Sequence, residues 1–206
     1  LLGFGPYSLT NLSSDYSRLW NQQRIHQRGN QMARHTHGAE ADTRNDHIKI
    51  YVDGDIVHRD DAKVSVYDSG FLLGDGVWEG LRLYHGTVTF LAEHLDRLYE
   101  GAYCLDIDIG LDREQLTAAI IDTLNANEMT TDVHIRLMVT RGRKSKPFQD
   151  PRLSIYGSTI VIIAEFSKPD KSNIEKGIRL LTVPHHRGLP LTQDPKLNSH
   201  SKLNCI

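Results

Sequence analysis

The sequence predicts an α+β fold: a small N-terminal lobe of antiparallel strands plus two helices, followed by the truncated start of a second, larger lobe. Three observations predict it. Ile48–Val52 alternates like a strand, breaks at Asp53-Gly54 and resumes at Asp55–His58, which reads as a hairpin. Residues 91–105 and 112–125 then carry apolar side chains at helical spacing. Strand-like runs return at 133–140 and 158–166, so the order is strands, helices, strands rather than a strand–helix–strand repeat.

Composition sets the outer bounds. The chain has 206 residues, of which 39% are apolar and 24% charged, enough for one or two domains. A net charge of −2, with basic residues scattered, gives no reason to expect nucleic acid. The longest apolar run, Thr159–Ala164, has strand length and is too short to span a membrane. Only two thiols, Cys104 and Cys205, point to a reducing, cytoplasmic compartment and no disulfide framework. The absence of Met before Met32 and the stop at Ile206 lead us to expect a fragment.

The elements follow in order. Residues 1–46 hold no sustained period and are expected to be a disordered leader. His35 and His37 lack further ligands for a metal. The N-terminal α+β domain is expected to run from 47 to 166. After the first hairpin, Lys63–Val66 reads as a short strand, and 67–76 as a Gly-rich connection. Val77–Tyr84 is a strand that turns at His85-Gly86 onto Thr87–Phe90. Leu91, Leu95, Leu98 and Ala102 form the buried stripe of one helix, with Arg97 at its edge. A pairing of Arg97 with Glu93, one turn back, is the bland expectation. Asp112 caps the second helix, whose inner face carries Leu116, Ala119, Ile120 and Leu124. Residues 141–157 read as a polar loop, 169–176 as a linker and Ile178–Pro184 as a strand. Residues 177–206 open a second domain. In its final stretch Pro195 holds an extended loop, and Ser199 or Ser201 caps the first turn of a helix.

Two mid-strand side chains stand out for chemistry. Arg136 sits mid-strand and points with His134 and Met138, opposite to Ile135 and Leu137. That face is either the solvent side of a sheet or an anion site in a cavity. Glu79, between Trp78 and Gly80, has the same two readings. Gly74-Asp-Gly76 does not open a helix, so it is a tight turn rather than a phosphate loop. No nucleophile elbow and no Cys/His metal spacing occurs, and His185-His186 reads as loop lining.

Taken together, Tyr67-Asp-Ser-Gly-Phe-Leu-Leu-Gly-Asp-Gly-Val-Trp-Glu-Gly80, Phe90-Leu-Ala-Glu-His-Leu-Asp-Arg-Leu98 and His134-Ile-Arg136 with Val139-Thr-Arg-Gly142 resemble the fold type IV pyridoxal-phosphate enzymes. This family includes branched-chain and D-amino-acid aminotransferases and aminodeoxychorismate lyase. The resemblance covers residues 48–206. It implies pyridoxal 5'-phosphate as cofactor, held at its phosphate by Arg97, and a substrate carboxylate received by Arg136 beside Trp78 and Glu79. It also implies a homodimer acting on an amino acid and a 2-oxo acid, branched-chain L-amino acids being favoured.

The family's usual Asp-Pro-Arg-Leu-Lys-Ser-Leu-Asn-Tyr-Leu-Asn supplies the lysine that forms the Schiff base. Laid along Asp194–Asn204, it puts Asn198 at the lysine and Lys202 at the tyrosine beside the cofactor. A carboxamide cannot bond an aldehyde as an amine does, so Lys202 is expected to be the relocated catalytic lysine, with Asn198 beside the cofactor. Lys196 is the second candidate. The alternatives are a lyase acting on an aminated chorismate-like substrate and a non-catalytic cofactor-binding relative.

Overall fold

The structure is a computed structural model, and it describes residues 42–169, 175–182, 184 and 188–202. A six-stranded sheet is the frame. Its strands are β1 (Lys49–Val52), β2 (Asp55–His58), β3 (Gly76–Tyr84), β4 (Thr87–Val88), β5 (Val133–Thr140) and β6 (Thr159–Phe166), in the spatial order β2-β1-β6-β5-β3-β4. Every recorded pairing is antiparallel.

Alternation along each strand divides the sheet into two faces. Val77, Leu81 and Leu83 of β3, Val133, Ile135, Leu137 and Val139 of β5, and Ile160, Ile162 and Ala164 of β6 are buried. They face helices α2 (Leu91–Cys104) and α3 (Arg113–Ala126). Helix α2 packs on β3, and α3 packs on β1 and β6. Each aliphatic side chain so buried contributes about 1.5–3 kcal/mol. Leu95, Leu98 and Ala102 of α2, and Leu116, Ala119, Ile120 and Leu124 of α3, are the expected inner faces. The Asp112 carboxylate accepts from Gln115 N–H while the Gln115 side chain accepts from Asp112 N–H, a reciprocal cap on α3.

Several expectations are corrected. Asp42–Asp46, placed in the leader, join the fold: Thr43–His47 is a 3₁₀ turn. There Asn45 brackets the backbone N–H and C=O of Phe166 at the end of β6. Lys63–Val66 is not a strand. Val64 and Val66 are exposed, and Ser65 O accepts from Asp68 N–H, which turns the chain instead. The connection after it contains a short helix, α1 (Ser69–Leu73), capped by Asp68 and ended by Gly74 in the left-handed region. The strand opening at Thr87 stops at Val88, because Phe90 takes a positive φ to start α2. Ile178–Thr182 form no strand, and Leu180 and Leu181 lie exposed at 83% and 90%. Pro195 sits inside an Asp194–Leu197 turn, with Asp194 accepting from both Lys196 N–H and Leu197 N–H, rather than in extended chain.

The expected helix after Ser199 and Ser201 lies mostly at 203–206, outside the described residues, as do His35, His37, His185, His186 and Cys205. Ser199 itself is buried and bridges Val77. No helix among the described residues is long and apolar enough to cross a membrane.

Candidate functional site

The sheet face away from the helices carries the site. Its side chains come in cross-strand rows set by the register: Trp78 beside Met138, Gly80 beside Arg136 and Ile163, and Arg82 beside His134 and Glu165. A cavity of about 910 Å³ opens over these rows. Trp78, Gly80, Arg82, His134, Arg136 and Ile163 line it, together with Arg97, Asn198 and the Asp42–Asp46 turn. Arg136 therefore lines this cavity on the open face of the sheet, where it remains exposed. Its guanidinium carbon stacks 4.3 Å from the centroid of the Trp78 ring. Gly80 keeps the floor low: an added Cβ would touch the Trp78 ring at 3.4 Å and His134 Nε2 at 3.5 Å.

Glu79 points the other way, so it does not wall the cavity. Its side chain is fully buried on the helix side and accepts from Arg97 Nε at 2.6 Å, Arg97 Nη2 at 2.5 Å and His94 Nδ1 at 2.8 Å. Glu79 replaces Glu93 as the partner of Arg97. The cause is packing: α2 lies across β3, so position 97 meets the strand's inward-pointing carboxylate. Bonding to Glu79 raises the Arg97 pKa and keeps its charge in place. A carboxylate in an apolar layer needs such partners, and the fork of Arg97 supplies two parallel bonds. Arg97 thus reaches the cavity with its plane already fixed.

The free edge of β3 receives the final segment. Trp78 N–H donates to Asn198 O at 2.9 Å, His200 N–H donates to Gly76 O at 2.9 Å, and Val77 and Ser199 form an antiparallel bridge. Only glycine fits at 76, because a Cβ would stand 2.5 Å from Val139 O of the neighbouring strand β5; the docked His200 Cε1 would lie 3.2 Å away. Burial pushes the His200 pKa down, and the ring donates from Nε2 to Val77 O at 3.0 Å. The Gly74-Asp-Gly76 turn is therefore a docking floor for this segment.

The two candidate lysines separate here. Lys196 is exposed on the Asp194–Leu197 turn. Lys202 is half-buried, with Nζ 3.0 Å from Asn198 Oδ1 and 5.5 Å from the Trp78 ring centroid. At the Trp78 ring the site thus combines the Arg136 guanidinium, the aromatic ring and the Lys202 amine, while Arg97 lines the same cavity as Arg136. Among the described residues no group of three His, Cys, Asp or Glu side chains is disposed to hold a metal.

Sequence reasoning missed His94 and Glu165. His94 lies three residues before Arg97, the helical spacing that places both over one carboxylate. Glu165 alternates with the buried Ile162 and Ala164, a pattern that could have placed it on the open face.

Comparison with known proteins gives three results. A family model described as "Amino-transferase class IV" matches residues 76–205. The chain is 42% identical over 159 residues to "Branched-chain-amino-acid aminotransferase-like protein 1" of Arabidopsis thaliana, covering 77% of this chain and 28% of that protein. It resembles the solved structure of a branched-chain aminotransferase from Thermoproteus uzoniensis with norvaline, at 27% identity and a TM-score of 0.64. That match covers 77% of this chain and 53% of the other. It also resembles a solved branched-chain amino acid aminotransferase from T.th. with pyridoxamine 5'-phosphate, at 25% identity and a TM-score of 0.65. Here 75% of this chain and 51% of the other are covered. The chain therefore spans about half the length of these solved relatives, and less of the Arabidopsis protein.

Proposed function

The chain belongs to the class IV aminotransferase family, and on that premise we propose that its protein transfers an amino group between an amino acid and a 2-oxo acid with pyridoxal 5'-phosphate as cofactor. Branched-chain L-amino acids are the favoured substrates. The names of the similar proteins support that preference, as do Trp78 and Ile163 on the cavity wall.

The residues fit the cofactor by the chemistry of their donors. Arg97 and Arg136 offer guanidiniums matched to a phosphate and a carboxylate, Gly80 leaves room for a flat ring, and Lys202 offers an amine. When bound, the cofactor supplies an aldehyde for that amine and a ring that takes up electrons from the substrate's Cα. The protein does the rest. Arg97, clamped by Glu79, holds the phosphate. Arg136, flattened on Trp78, receives the substrate carboxylate and so orients Cα. Lys202 Nζ would carry a proton between the substrate's Cα and the cofactor's C4′, taking it from one carbon and delivering it to the other in each half-reaction.

The observation that carries this reading is that one primary amine, Lys202, stands over the ring on which Arg136 is stacked. Lys202 takes the covalent role, and Lys196 is too exposed for it. We extend the reading to a cytoplasmic homodimer. The exposed free thiol of Cys104 supports the compartment. The exposed Tyr67, Phe71 and Tyr156 support assembly.

The test is a half-reaction in the full-length protein. Cofactor absorbance should change when a branched-chain amino acid is added and return with its 2-oxo acid. Lys202→Ala should slow this about a hundredfold or more, the usual yield of a positioned proton-transfer group. Pyruvate released from an aminated chorismate-type substrate with no amino acceptor would favour a lyase instead.

A further inference from the structure

We propose that Asn198, at the position where the family carries its lysine, is a positioning residue that seats the amine of Lys202. The inference rests on Lys202 being the cofactor-bearing residue.

Three bonds make the seat. Trp78 N–H donates to Asn198 O at 2.9 Å, and Asn198 Nδ2 donates back to Trp78 O at 2.7 Å. Asn198 Oδ1 then accepts from Lys202 Nζ at 3.0 Å. The orientation of the carboxamide is forced, because a backbone carbonyl can only accept and an ammonium can only donate. Only an amide offers both a donor for Trp78 O and an acceptor for Lys202 in one small planar group. The Trp78 ring, 5.5 Å from Nζ, supplies a second contact for the ammonium.

The seat is itself anchored. Trp78 Nε1 donates to Ser199 O at 3.1 Å, and Gln193 Nε2 donates to Ser199 Oγ at 2.7 Å. His200 N–H holds Gly76 O on the far side. A flexible lysine stem is thereby tied at its tip to the β3 edge.

The test follows the capture of pyridoxal phosphate by borohydride in the full-length protein, with labelled lysines mapped by mass spectrometry. In the wild type, capture at Lys202 is expected to outpace capture at Lys196. No capture at Lys202 in the wild type would refute the underlying reading rather than the seat. Asn198→Ala should lower the rate at Lys202 about tenfold, the effect of losing one hydrogen bond to a charged group. Equal rates in a folded Asn198→Ala variant, checked by circular dichroism, would overturn the proposal. Should that variant fail to fold, Asn198→Asp decides. It keeps an acceptor for the ammonium but loses the donor to Trp78 O, so capture at Lys202 slower than in the wild type supports the seat. Capture at Lys202 at the wild-type rate overturns it.

Discussion

Glu79 and Arg97 show how one ion pair joins the core to the cavity. Glu79 is fully buried, while the Arg97 side chain is 53% exposed, so the pair straddles the boundary between apolar layer and open space. Removing the arginine leaves the carboxylate with only His94. Arg97→Ala should therefore destabilise the protein by roughly 2 kcal/mol, read from denaturant unfolding, as well as weaken cofactor binding. Glu79→Gln should spare most of the stability and still lower cofactor affinity about tenfold, since a neutral amide holds the guanidinium less firmly. Unchanged affinity in a spectroscopic titration of the glutamine variant would show that Arg97 needs no such clamp. At this scale the sequence was half legible. The direction of Arg136 followed from strand alternation alone. The partner of Arg97 did not, because it depends on where α2 lies across β3, and nothing local in Phe90–Leu98 encodes that.

Single elements show the same division. The capping box on α3 was readable from Asp112, and it is formed. Asp112→Ala should lower stability by about 1 kcal/mol, measurable as a fall in Tm. Strands β3, β5 and β6 were legible because long alternating apolar sets leave one register that buries them. Lys63–Val66 and Ile178–Pro184 misled because two or three apolar residues at period 2 do not make a strand without a neighbour to pair with. The final segment docks along β3 through Asn198 and His200, an outcome of the edge that β3 leaves free there rather than of the segment's own caps.

That docking should depend on pH. Burial lowers the His200 pKa below its ordinary value of 6.5, despite the opposing pull of the Val77 carbonyl, Asp68 and Asp75. Between the lowered value and 6.5 the undocked ring binds a proton that the docked ring does not. Docking is therefore fully stable above about 6.5 and weakens as pH falls below it. Amide hydrogen exchange at His200, corrected for intrinsic rates, should speed up on acidification. Protection that is flat from pH 7 to about 5 would contradict this.

The described residues form a sheet with two different faces. One is closed by helices into an apolar core; the other carries guanidiniums and an indole around a cavity, with the Lys202 amine beside the indole. Fold class and face assignment were legible because both follow from periodicity. The meeting of Arg136, Trp78 and Lys202 was not, since it joins three segments far apart in the chain; only the family resemblance brought them together. The central claim is that this cavity takes the cofactor with its phosphate at Arg97 and its aldehyde carbon at Lys202. A crystal structure of the full-length protein with pyridoxal phosphate tests it most directly. The account predicts continuous electron density from the cofactor's C4′ to Lys202 Nζ, with Arg97 against the phosphate. Density running to Lys196, or a bound cofactor with Lys202 turned away from it, would contradict the account.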